Sequence, residues 1–99
     1  MFFRLESFLT PGIIYRVDLS KTPYTPEVIR EITIPGFDAS QFITKQVFYP
    51  SYDGTMIPMF IVHKQNLIRS GNASTILFGY GGHNIPIVPD FGPNGIVLL

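Results

Sequence analysis

The sequence predicts a mainly β chain, and three observations carry that reading. First, two apolar-rich runs, Gln41 to Tyr49 and Thr55 to His63, flank Pro50-Ser51-Tyr52-Asp53-Gly54. Asp-Gly between apolar runs is among the best short-range hairpin signals, because the turn needs positive φ. Second, Ile13 to Leu19 alternates, with Ile13, Tyr15 and Val17 on one side and Ile14, Arg16 and Asp18 on the other. That is the pattern of a strand with one wetter face. Third, no stretch of useful length carries the spacing of an amphipathic helix.

Taken in order, Phe2 to Leu9 carries β-compatible aromatic residues, and Thr10-Pro11-Gly12 reads as the turn into the second strand of a hairpin. Ser20 to Glu27 is a loop stiffened by Pro23 and Pro26. Val28 to Ile34 alternates as a short strand, and Pro35-Gly36 ends it. In the following hairpin Phe48, Ile57, Met59 and Ile61 are core candidates, and Pro58 marks an edge strand or a bulge. Lys64 to Asn72 is polar, with a turn at Ser70-Gly71-Asn72. Thr75 to Phe78 is short and apolar and reads as a central strand. After Gly82 the chain is loop, broken by Pro86, Pro89, Asp90, Gly92, Pro93 and Gly95. The apolar run Gly95 to Leu99 reads as the opening of a strand or helix.

Composition excludes several classes. The 99 residues hold 7 basic and 7 acidic side chains, so no net field points to nucleic acid or an anionic membrane. There is no cysteine, hence neither a disulfide framework nor a thiolate metal site. His63 and His83 show no metal-ligand spacing, and neither a metal nor a cofactor is expected. The first residues lack the long apolar core of a secretory signal, and the last apolar run is too short to span a bilayer. Asn72-Ala73-Ser74 fits a glycosylation sequence that is common by chance.

The stretch Ile76-Leu77-Phe78-Gly79-Tyr80-Gly81-Gly82-His83-Asn84-Ile85 is where chemistry is expected. An apolar run breaks into three glycines around one tyrosine. Such a loop can present backbone N–H groups to a ligand or oxyanion. Read alone, Gly81-Gly82 is more often just a sharp turn, and Tyr80 more often a strand-end tyrosine packed on a core. No Gly-x-Ser-x-Gly elbow is present, and Ser7, Ser20, Ser40, Ser51, Ser70 and Ser74 all lie in turn-like or polar contexts. His63, at the end of a strand, reads as a structural or surface residue.

Val47-Phe48-Tyr49-Pro50-Ser51-Tyr52-Asp53-Gly54-Thr55-Met56-Ile57-Pro58-Met59-Phe60-Ile61-Val62-His63-Lys64, followed by Phe78 to Ile85, closely resembles the start of the catalytic domain of the prolyl oligopeptidase (prolyl endopeptidase) family. Upstream, Ser7-Phe8-Leu9-Thr10-Pro11-Gly12-Ile13-Ile14-Tyr15 resembles the end of that family's β-propeller. The resemblance covers nearly the whole chain. It implies a fragment in which residues 1–35 are the last strands of a β-propeller domain. Residues 36–99 are then the N-terminal part of a truncated α/β-hydrolase domain, with the boundary near Pro35-Gly36.

It further implies a cytoplasmic serine peptidase that cleaves short proline-containing peptides on the carboxyl side of proline, through an acyl-enzyme and as a monomer if full length. In the family the triad lies downstream of the Gly-Tyr-Gly-Gly loop, so this chain lacks the catalytic Ser, Asp and His. Tyr80 is then the catalytic oxyanion donor, a role that suits a phenol that stays neutral at pH 7. His83 is then a substrate-binding residue near the proline subsite, where the family usually has phenylalanine, and Asn84 shapes the loop. Two other readings stand beside this one. One is a truncated or degenerate, non-catalytic β-rich interaction module. The other is another α/β-hydrolase such as an esterase, against which the propeller-like segment counts.

Overall fold

In the computed structural model, which describes residues 1–92 and residue 95, the N-terminal third forms a three-stranded antiparallel sheet. Its strands are β1 (Phe2–Ser7), β2 (Thr10–Val17) and β3 (Pro26–Glu31), in that spatial order. Cross-strand pairs hold it. Phe3 lies opposite Tyr15, and their rings stack at 5.1 Å, a contact worth about 0.5–1.5 kcal/mol beyond its buried area. Arg16 lies opposite Glu27 and reaches its carboxylate at 2.7 Å. Both are more than half exposed, so the pair contributes at most about 1 kcal/mol.

The turn between β1 and β2 sits earlier than the Thr10-Pro11-Gly12 signal suggests. Ser7 pairs with Thr10, leaving Phe8-Leu9 as the turn. Pro11 and Gly12 fall inside β2, where the register shifts against β1. Gly12 is buried there, and a Cβ on it would come within 2.8 Å of the Arg4 guanidinium. Arg4 is held across it by the Pro11 carbonyl at 3.0 Å and by Glu6 at 2.8 Å. The glycine therefore marks a bulge with a close approach, which is the usual meaning of glycine within a strand.

β3 also begins earlier than the sequence pattern suggests. Pro26 pairs with Val17 as the first residue of an edge strand, a position that tolerates the missing N–H. Beyond Glu31 the Ile32 N–H still donates to the Gly12 carbonyl at 2.9 Å. The Pro35-Gly36 turn is present, with Gly36 at φ +80° and the Phe37 N–H donating to the Ile34 carbonyl at 3.1 Å.

The second sheet is a hairpin of β4 (Phe42–Pro50) and β5 (Met56–Lys64), paired without a register shift. Asp38 starts it. Its carboxylate accepts the Ser40 N–H at 3.0 Å and the Ser40 hydroxyl at 2.6 Å, capping the 3-10 turn Ala39–Gln41. Pro58 lies opposite Phe48 in the unbroken register, so it marks an edge strand and no bulge. At the hairpin tip Gly54 has φ +84° and its N–H donates to the Ser51 carbonyl at 2.9 Å.

Asp53 accepts the Thr55 N–H at 3.0 Å, and the Thr55 amide and hydroxyl hold its carboxyl below the ordinary 3.8. A carboxylate depressed in the folded turn contributes fully above its unfolded value and is lost as pH falls through the lower folded value. The Thr55 amide resonance should therefore titrate with a midpoint below 3.8. Asp53→Asn should abolish that step, and a midpoint at or above the ordinary value would count against the turn.

The apolar residues are poorly covered. Val17, 5% exposed, is the buried large hydrophobic among the described residues. Of the expected core residues, Phe48 and Ile61 are exposed and Ile57 and Met59 half-buried. A two-stranded sheet has no second layer to cover either face. Thr75–Phe78 forms no strand, and Ile76, Leu77 and Phe78 are 67%, 84% and 78% exposed. Among the described residues no neighbour supplies the ladder that defines a strand.

One aromatic contact, Phe8 with Phe60, links the first hairpin's turn to the second sheet, and two others gather around Phe37. Phe8 meets Phe60 at 5.4 Å, and Phe37 stacks on Phe42 at 5.6 Å and meets Phe91 edge-on at 5.8 Å. The Phe91 N–H also donates to the Glu6 carboxylate at 3.2 Å. Among the described residues no helix is long and apolar enough to cross a membrane. The run Ile96 to Leu99 lies outside the described residues.

Candidate functional site

The segment ending at Gly79, which forms no regular structure, leads Tyr80 into a tight turn. Gly81 has φ −142° and ψ 10°, and a 3-10 turn then covers Gly82–Asn84. His83 (φ 56°, ψ 25°) and Asn84 (φ 55°) are both left-handed, and the Ile85 N–H closes on the Gly82 carbonyl at 3.2 Å. Two successive left-handed residues inside a four-residue turn are the mark of a mirror-image β-turn. Left-handed backbone costs an L-residue about 1–2 kcal/mol, and asparagine and histidine are among the non-glycine residues that adopt it most often.

The turn folds the Tyr80 ring across Gly82. A Cβ at position 82 would stand 2.6 Å from the Tyr80 hydroxyl oxygen and 2.8 Å from Cζ. Glycine is thus required for the ring to lie where it does. The Tyr80 hydroxyl faces His83 Nδ1 at 3.5 Å, the outer limit of a hydrogen bond. Tyr80 is 55% exposed. An open depression of about 560 Å³ lies beside it, lined by Tyr80, Gly81, Asn84, Ile85 and Pro86, none of them charged.

The structure therefore brings Tyr80 and His83 into one turn, as their spacing suggests. His83 itself does not line the depression, whose wall is formed by Tyr80, Gly81, Asn84 and two residues not singled out from the sequence, Ile85 and Pro86. Their signal was available, since an apolar residue and a proline directly after a glycine turn are apt to form a wall. His63 belongs elsewhere. It sits in β5 with Nδ1 2.7 Å from the Lys64 carbonyl, which fixes the ring at the end of the strand. None of the serines lines the depression.

No family model matches the chain, but individual proteins do. It is 42% identical over 99% of its length to prolyl oligopeptidase A of Amanita bisporigera, covering 13% of that protein. It is 35% identical over 92% of its length to the prolyl endopeptidase of Elizabethkingia meningoseptica, covering 12% of it. Among solved structures, prolyl oligopeptidase B of Galerina marginata bound to a 35-residue hydrolysis and macrocyclization substrate superposes with a TM-score of 0.84. That match is 38% identical and covers 93% of this chain and 13% of the other. A prolyl endopeptidase from a study of inter-domain dynamics superposes with a TM-score of 0.85 at 37% identity, covering 99% of this chain and 14% of its own. The chain thus spans about one eighth of the length of the curated relatives it matches. Sequence and mainly β fold agree along nearly all of it, and both place these residues with the prolyl oligopeptidase family.

Proposed function

We propose that this chain acts as one segment of a serine peptidase that hydrolyses short peptides on the carboxyl side of proline. The observation that carries the reading is the match along nearly the whole chain, together with the exposed Tyr80 at the rim of an open, uncharged depression. Residues 1–35 act as the last strands of a β-propeller and residues 36–99 as the start of an α/β-hydrolase domain. Two separate sheets on either side of the Pro35-Gly36 turn support that division. The protein is a cytoplasmic monomer, and its partners are short proline-containing peptides.

In this reading the nucleophile, base and carboxylate come from the rest of the longer protein. When the serine attacks the carbonyl carbon of the proline residue, the carbonyl oxygen gains negative charge. The Tyr80 O–H donates a hydrogen bond to it. The C–N bond then breaks, the downstream peptide leaves as an amine with the proton taken from the serine, and water hydrolyses the resulting acyl-enzyme to release the acid and restore the serine. His83 lies beside the proline subsite, where a flat ring can stack on the pyrrolidine and its polar edge weakens that contact. His83→Phe should therefore lower KM for a proline substrate.

The test is turnover of a Gly-Pro chromogenic amide by the full-length protein, expected to be abolished by a serine-directed inhibitor. The isolated 99-residue chain should show none, because substrate binding without a nucleophile does not cleave an amide. Inhibitor-sensitive turnover by the isolated chain would overturn the segment reading. A silent full-length protein would favour a non-catalytic β-rich module.

A further inference from the structure

We propose that His83 is a positioning residue that acts through Tyr80, aiming the phenol proton into the depression. The inference rests on the reading of Tyr80 as an oxyanion donor. Three features support it. The Tyr80 ring lies on Gly82, so closely that any side chain at 82 would displace the hydroxyl. The left-handed backbone of His83 bends the chain back on itself, and its Nδ1 is the side-chain partner of that hydroxyl among the described residues. The same turn places Asn84 and Ile85 along the depression that Tyr80 also lines.

The consequence follows from hydrogen-bond inventory. A phenol oxygen both accepts and donates. When His83 carries a proton on Nδ1, it donates to the Tyr80 oxygen, and the phenol proton must then point elsewhere, toward the open side. Such a chain of donors also strengthens the last one, because each bond polarises the next. When Nδ1 is bare, the phenol proton is drawn to the imidazole and must be turned away before it can serve an oxyanion. The 3.5 Å separation leaves room for the contact to tighten when charge appears on the substrate.

The experiment is a double-mutant cycle on kcat in the full-length protein, with Tyr80→Phe, His83→Phe, both together, and His83→Asn. Asparagine places an N–H donor near the position of Nδ1 and tolerates the left-handed backbone. His83→Phe is expected to lower kcat by about two- to tenfold, the worth of one neutral hydrogen bond. His83→Asn should restore most of that loss. In the Tyr80→Phe background the His83→Phe change should have no further effect on kcat, since there is no hydroxyl left to aim. Equal losses in both backgrounds, or no loss in kcat with Tyr80 present, would overturn the positioning role while leaving Tyr80 as donor. An unaltered Tyr80→Phe enzyme would instead overturn the underlying reading. Melting temperatures of the four variants separate these results from misfolding, because a loss that tracks Tm and is not restored by asparagine also counts against positioning.

Discussion

Tyr80→Phe in the full-length protein should lower kcat/KM on a proline amide by about 100-fold and leave the melting temperature almost unchanged. The ring that rests on Gly82 is retained, so packing is conserved and only the hydroxyl is removed. Loss of one oxyanion donor typically costs about 10²–10³ in rate, because the donor is held in place before charge develops. The loss should fall on kcat more than on KM, as expected for an interaction made chiefly in the transition state. A tyrosine serving only as a packed side chain gives a different result. Activity then survives. Tyr80 is 55% exposed, so little packing energy is at stake in either case, and the activity, with Tm as the control for folding, separates the two results. Full activity of the Tyr80→Phe enzyme would remove the reason to centre the chemistry on this loop.

The second large effect concerns the 99-residue chain alone, which should be poorly soluble and should not unfold as a cooperative monomer. Its accessible surface is 8238 Å², whereas a compact monomer of this mass exposes about 5,700 Å². Its radius of gyration is 17.2 Å, against about 13 Å for a compact domain of this length. Exposed apolar side chains run through Ile76, Leu77 and Phe78 and recur at Ile85, Ile87 and Val88. Among the described residues β4 and β5, nine residues each, form a sheet of two, so each has one edge without a partner strand there. Exposed edges and apolar patches promote association between chains. Light scattering and thermal unfolding by circular dichroism measure both properties. A sharp, reversible transition of a monodisperse 11.1 kDa species would contradict the expectation.

Local chemistry explains which parts of the fold could be read from the chain. The hairpin around Asp53-Gly54 was legible because the turn is made by its own residues. Gly54 supplies positive φ, Asp53 bonds the Thr55 amide, and the flanking runs pair without slipping. The 3-10 turn capped by Asp38 is equally local, although no sequence pattern singled it out here. The first hairpin was legible as a pair of strands but not in its turn. Thr10-Pro11-Gly12 has turn composition, yet the pairing of Ser7 with Thr10 moves the turn to Phe8-Leu9 and leaves Gly12 as a bulge under Arg4. Turn residues also suit bulges, and the choice between the two belongs to the partner strand.

Thr75 to Phe78 shows the other limit. Its apolar run has the composition of a buried strand, but a strand exists only with a neighbour to receive its hydrogen bonds. None of the described residues provides one, and the side chains stay exposed. The candidate site divides the same way. Residue type and spacing were enough to expect a glycine turn, whereas Tyr80 and His83 were singled out as site residues only through the resemblance to the prolyl oligopeptidase family. The contact of the phenol with both Gly82 and His83 depends on His83 and Asn84 adopting left-handed backbone in succession. That conformation is uncommon for non-glycine residues, so the amino-acid order alone does not announce two of them in succession. It comes from closing the Gly82–Ile85 turn. The residues chose the chemistry available to the loop, and the dihedral angles imposed by closing the turn placed the hydroxyl.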